Sequence, residues 1–104
     1  MTLADEARGL VREMLPLGRC SVEELAQRLG VDRRTVHRHL ARGGETFSSL
    51  VNDVRGELAD GYLEGGTGRL TQVAHLLGFS ALSAFSRWHR RHFGFTLTQR
   101  RNGR

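Results

Sequence analysis

An internal repeat constrains this chain more than any other feature. Residues 22–31, Val22-Glu-Glu-Leu-Ala-Gln-Arg-Leu-Gly-Val31, are matched 48 positions later by Leu70-Thr-Gln-Val-Ala-His-Leu-Leu-Gly-Phe79. Both copies read apolar-x-x-apolar-Ala-x-x-Leu-Gly-apolar. The apolar positions fall at i, i+3, i+4 and i+7, which is one face of a helix. Ala26 and Ala74 are small, as suits two helices that cross closely. Gly30 and Gly78 stand where a helix ends in a left-handed residue, a conformation that glycine adopts without steric cost. The next residue, Val31 or Phe79, plugs the angle between the helices. Each copy leads into a capped second helix, so each has the sequence form of a helix-turn-helix.

The rest of the chain keeps helical spacing, and no strand-like alternation persists. Leu3, Ala7, Leu10, Val11 and Met14 make one stripe, which Pro16 ends. Ser21 with Glu24 predicts a capping box. Asp32 is an N-cap for a helix over 33–42 that buries Val36 and Leu40 and ends at Gly43-Gly44. Thr46 caps a longer helix with Phe47, Leu50, Val51, Val54 and Leu58 on one face. Gly56 and Gly61 weaken its interior by ~1 kcal/mol each relative to alanine. Residues 65–68, Gly-Gly-Thr-Gly, read as a break and as the hinge between two lobes. Ser80 reads as the N-cap of a helix over 81–93 with Phe85, Trp88 and Phe93 as its large apolar members, and Thr96 with Gln99 caps a last short helix. The expected fold class is therefore all-α. A first helix-turn-helix lobe (3–45) and a second (65–104) are joined by a linker helix (46–64).

Charge separates along the same division. Residues 1–64 hold nine arginines and eleven acids, whereas residues 65–104 hold seven arginines and no acid. All sixteen basic residues are arginine, whose planar fork matches phosphate oxygens and the guanine edge. The asymmetry predicts a polyanionic partner. Cys20 stands alone, which fits a reducing cytoplasm and excludes a disulfide framework. No apolar run approaches ~20 residues, and the start lacks an apolar signal core. His37 and His39 point apart on a helix, and His89 with His92 lacks a third ligand at fixed spacing, so no metal is expected. No nucleophile motif, phosphate-cradling loop or carboxylate pair points to catalysis or to a cofactor.

The segment from Leu70 to Gly94, with Ala74, Gly78-Phe79, Phe85-Ser-Arg87 and Phe93-Gly94, resembles the signature of AraC/XylS-family transcription regulators. Asp32-Arg-Arg-Thr-Val-His-Arg-His-Leu40 and Thr46-Phe-Ser-Ser-Leu-Val-Asn-Asp-Val-Arg-Gly-Glu-Leu-Ala59 are similar to the family's first reading helix and linker helix. The resemblance covers about residues 3–101. Two positions depart from it: His89 replaces an aromatic core residue and Leu97 replaces proline, which predicts poorer burial and a looser C-terminal turn. The resemblance implies a seven-helix C-terminal domain that binds double-stranded DNA in two successive major grooves. Most members of the family also carry an effector-binding or dimerisation domain, so 104 residues suggests an excised C-terminal domain, with a naturally short member as the alternative; RNA polymerase is a further candidate partner.

A reading helix spends one face on the core and shows the other to base edges. Arg34, His37 and Arg38 are the candidate base readers of the first lobe, and Leu82, Ser83, Ser86 and Arg87 those of the second. Arg33 and Thr35, near a helix start, and Arg90 and Arg91 are the candidate phosphate contacts. Two other readings fit the composition: an all-helical protein-interaction module and a non-specific nucleic-acid binder.

Overall fold

A computed structural model describes residues 2–66 and 68–101. Met1, residues 102–104 and Thr67, within the expected hinge, lie outside the described residues. Regular structure among those residues is entirely helical: α1 (Leu3–Met14), α2 (Val22–Leu29), α3 (Arg33–Arg42), α4 (Phe47–Glu64), α5 (Leu70–Leu76), α6 (Leu82–Phe93) and α7 (Leu97–Arg101). A single 3-10 turn at Leu15–Leu17, holding Pro16, ends α1.

Side-chain caps fix most helix starts. The Ser21 hydroxyl accepts from the Glu24 amide at 3.0 Å, but only half of the expected capping box forms. The Glu24 carboxylate turns instead to Arg28, one turn along, at 3.1 Å. Asp32 accepts from the Thr35 amide at 2.8 Å, and that bond holds its carboxyl below the ordinary carboxylate range. Thr46 and Ser49 cap α4 reciprocally, as do Thr96 and Gln99 at α7. Ser80 does not cap α6. The backbone stays extended through Ala81 (φ −150°, ψ 152°), so the helix starts one residue later than its first-lobe counterpart and has no side-chain cap.

Both helix-turn-helix turns close as the repeat predicts. Gly30 and Gly78 have φ of 74° and 91°. The amides of Val31 and Phe79 donate back to the carbonyls of Ala26 and Ala74, at 3.0 and 2.9 Å.

The core is in two parts. Ala7, Val11, Met14, Leu15, Leu25, Ala26, Val36 and Leu40 pack with Leu50, Val51 and Val54 of α4 in the first. Ala59 of α4 packs with Val73, Ala74, Leu77, Phe85 and Trp88 in the second, and Leu58 touches both. Full burial of each large side chain here stabilises the fold by about 1.5–3 kcal/mol. The chain therefore passes from one lobe to the other inside α4. The stretch expected as the hinge, residues 65–68, is described only in part, and the helices on either side of it, α4 and α5, both contribute to the second core.

Candidate nucleic-acid interface

The two second helices, α3 and α6, carry the predicted reading residues. Counted from their caps at Asp32 and Ala81, they are in register. Val36 and Phe85 are both the fourth residue after the cap, and Leu40 and His89 both the eighth; all four are buried. The second, fifth and sixth positions are then Arg34, His37 and Arg38 in α3, and Ser83, Ser86 and Arg87 in α6. The first helices of the two units repeat at 48 residues, whereas these second helices repeat at 49, from Arg33 to Leu82.

In α3, Arg33, Arg34, His37 and Arg38 are exposed and Thr35 is half-buried. Arg33 forms an ion pair with Glu23 at 2.8 Å, with both side chains largely in solvent. Arg38 leans along its own helix, donating from Nη2 to the Thr35 hydroxyl at 3.4 Å. In α6, Ser83, Arg87, Arg90 and Arg91 are exposed, and Ser86 is half-buried. Leu82 is half-buried and packs against the second core. It also borders an open groove of about 830 Å³ with Tyr62, Leu63, Leu70 and the arginines Arg69 and Arg101. These two exposed arginines were not assigned from sequence; the signal for them was the uninterrupted positive balance after residue 64.

Arg100 lines the same groove, but its head group is engaged within the fold. It turns inward, donating from Nη2 to Asp60 at 3.0 Å and from Nε to His89 Nε2 at 2.9 Å. Its guanidinium lies 4.8 Å from the Phe93 ring and 5.2 Å from the Phe95 ring. His89 is fully buried, contrary to the expectation of poorer burial. Its Nδ1 lies 3.0 Å from the Phe95 carbonyl, which can only accept. Since Arg100 can only donate to Nε2, the ring is neutral with its proton on Nδ1. Burial first, and the Arg100 charge second, push its pKa below the ordinary histidine value.

No helix among the described residues is long and apolar enough to cross a membrane. Nor, among them, do three or more His, Cys, Asp or Glu side chains cluster as a metal site.

Two helix-turn-helix units in register on a shared helix, with basic outer faces, define a DNA-binding domain of the regulatory type. Comparisons with known proteins agree. A helix-turn-helix domain family matches residues 25–103. The HTH-type transcriptional regulator VirS of Mycobacterium tuberculosis is 41% identical over 100 residues, covering 96% of this chain and 29% of that protein. The ornithine utilization regulator of Pseudomonas aeruginosa is 37% identical over 73 residues, 70% of this chain and 22% of that protein. Among solved structures, the C-terminal domain of AraT, a response regulator from Geobacillus stearothermophilus, superposes with a TM-score of 0.86 at 21% identity, covering 100% of this chain and 87% of that one. The chain belongs to the AraC/XylS family of transcription regulators, which is not a family of enzymes. It spans less than a third of the length of these curated relatives.

Proposed function

We propose that this domain binds duplex DNA sequence-specifically by laying α3 and α6 into successive segments of the major groove. The observation that carries this reading is the shared register of the two helices. Each has its fourth and eighth residues in a core and its second and sixth exposed, while the fifth is exposed in α3 and half-buried in α6. Arg34, His37 and Arg38 read bases in one segment; Ser83, Ser86 and Arg87, with Leu82 at the helix start, read the other. An arginine that grips guanine O6 and N7 bidentately separates it from other bases by ~1–3 kcal/mol. Arg38 and Arg87 occupy the same turn of their helices and take that role. The serines of α6 are permissive readers, so the second lobe contributes less specificity.

Arg33, Thr35, Arg90 and Arg91 hold phosphates. An exposed ion pair such as Arg33–Glu23 is weak because water screens both charges, so exchanging Glu23 for a phosphate costs little. The molecule is 44 Å long and about half as wide, enough to span two groove segments one helical turn, ~34 Å, apart. The greater length of the relatives supports a further domain that binds an effector or dimerises. RNA polymerase is the second partner in this reading, and the cytoplasmic nucleoid its place of action.

Selection of bound molecules from a random duplex library tests the proposal. Two short enriched blocks with centres one turn apart are expected. Binding that enriches no sequence, equal on every duplex at the same salt, would sink it.

A further inference from the structure

Helix α4 serves both lobes over the same two turns. Leu50, Val51 and Val54 face the first core. Asn52, Arg55 and Gly56, spaced i, i+3 and i+4, share another face, and that face receives the second lobe. Asn52 Oδ1 accepts from the Trp88 indole at 3.2 Å. Arg55 donates from Nε to the Leu77 carbonyl at 2.8 Å, and its guanidinium lies 4.7 Å from the Phe79 ring and 6.0 Å from the Trp88 ring. Gly56 admits the His92 ring so closely that a Cβ there would stand 2.5 Å from His92 Nε2.

Leu77 and Phe79 flank Gly78, the turn on which α6 is hung. A Cβ at Gly78 would lie 3.5 Å from Arg55 Nη2 and 3.6 Å from Leu15 of the first core. The pivot of the second reading helix is thus held between Arg55 and the first lobe. Helix α6 has 12 residues, so it is ~18 Å long. A rotation of ~10° about that turn would move its far end by ~3 Å, close to the ~3.4 Å rise of one base pair.

Building on the two-groove reading, we propose that Arg55, aided by Asn52, determines the spacing between the two DNA elements this domain recognises, although neither side chain reads a base. Arg55 is a positioning residue: it fixes where α6 lies relative to α3, and through that which separation of the two blocks both helices can engage together. Adding or removing one base pair turns one block by about 35° and shifts it by ~3.4 Å relative to the other. With the clamp intact, only one register satisfies both helices.

The test uses duplexes carrying the two blocks selected by the wild type, with the separation altered by one or two base pairs. The wild type loses about tenfold or more for a single base-pair change, the scale of one broken base contact. Arg55→Met keeps the stem but removes the donor and the cation; it flattens that profile to within about threefold, on the same scale. Its base preferences within each block, measured by single mismatches, stay as in the wild type. A folded Arg55→Met with the wild-type spacing profile overturns the inference. Should that variant fail to fold, Asn52→Ala decides, because it cuts only the Trp88 bond at an exposed side chain. A flatter profile supports the clamp and an unchanged one overturns it. A wild type that selects two blocks but tolerates any separation sinks this inference alone; one that selects no sequence sinks the DNA-reading proposal as well.

Discussion

His89 ties the stability of the second lobe to pH. In the folded chain it is neutral, with Nδ1–H donating to the Phe95 carbonyl and Nε2 accepting from Arg100. Protonating Nε2 would set its N–H against the Arg100 N–H inside the core. The other charged or titratable groups around it are Asp60 on α4, which favours the proton, and His92 on α6, which opposes it. Burial and Arg100 prevail, so the folded pKa lies below the ordinary 6.5. The sign follows from proton counting. As pH falls through 6.5, the unfolded chain takes a proton that the folded chain refuses, so stability falls with acidification until the folded pKa is reached. One proton gives a slope of at most ~1.4 kcal/mol per pH unit. For a domain of about this size each kcal/mol moves Tm by roughly 4–8 °C. Unfolding followed by Trp88, the chain's one tryptophan and His89's neighbour on α6, should show Tm dropping between pH 7 and 5.5. His89→Phe should remove that share of the slope, leaving whatever the other four histidines contribute. A slope unchanged by His89→Phe, or a wild type more stable at pH 5.5 than at 7, would refute the neutral-histidine argument.

Arg38→Ala and Arg87→Ala are each expected to lose ~1–3 kcal/mol of preference for the selected duplex over a random one. Competition binding checks this, and equal losses on both duplexes would remove these residues from base reading. Arg90→Ala should weaken binding to all sequences alike and reduce the log–log salt slope by about 0.9; an unchanged slope assigns Arg90 to solvent. Gly56→Ala gains ~1 kcal/mol of helix propensity but displaces the His92 ring, which stacks on Trp88 at 4.8 Å, a contact worth ~0.5–1.5 kcal/mol. Denaturation of the full double-mutant cycle should therefore find Gly56→Ala more stabilising in a His92→Ala background than in the wild type, and additive values would show that the two do not meet. Grafting the first lobe's readers onto α6, as Ser83→Arg with Ser86→His, should make the second selected block resemble the first, and an unaltered second block would show that the register of the two helices does not govern reading.

The repeat made the fold legible because it is written in residues whose partners are local. Leu25 and Val73, Ala26 and Ala74, and Gly30 and Gly78 do the same work within a turn or two of themselves, and a pattern at i, i+3, i+4, i+7 exposes them. What stayed hidden depends on partners far along the chain. Gly56 reads as a weak point in a long helix, because propensity counts only its own backbone; the ring that needs its missing side chain is His92, 36 residues on. His89 reads as a poor core residue by type, and is a good one only because Phe95 and Arg100 satisfy both its nitrogens. Nothing in the spacing marks Arg55 or Arg100 off from the other arginines, because their partners, Leu77 and Asp60, lie 22 and 40 residues away.

The start of α6 is instructive in a different way, because the misleading signal was itself local. Ser80 has the chemistry of a cap and stands 48 residues after Asp32, so the repeat and the residue type agree on it. The chain nevertheless stays extended for one residue more, through Ala81. In the second unit the plug after the glycine is Phe79, whose ring must meet Phe85 at 5.8 Å and Trp88 at 5.7 Å while Arg55 lies across it; Val31 carries no ring. The longer turn accompanies the larger plug. A frame of 48 pairs Arg38 with half-buried Ser86 and His37 with the fully buried Phe85, so a comparison of the two reading faces made in that frame mixes core with surface. A frame of 49 pairs Val36 with Phe85 and Leu40 with His89 in the cores, and Arg38 with Arg87 outside. Packing, not the spacing of the repeat, decides which side chains of the two helices are equivalent, and the functional comparison has to be counted from the observed helix start.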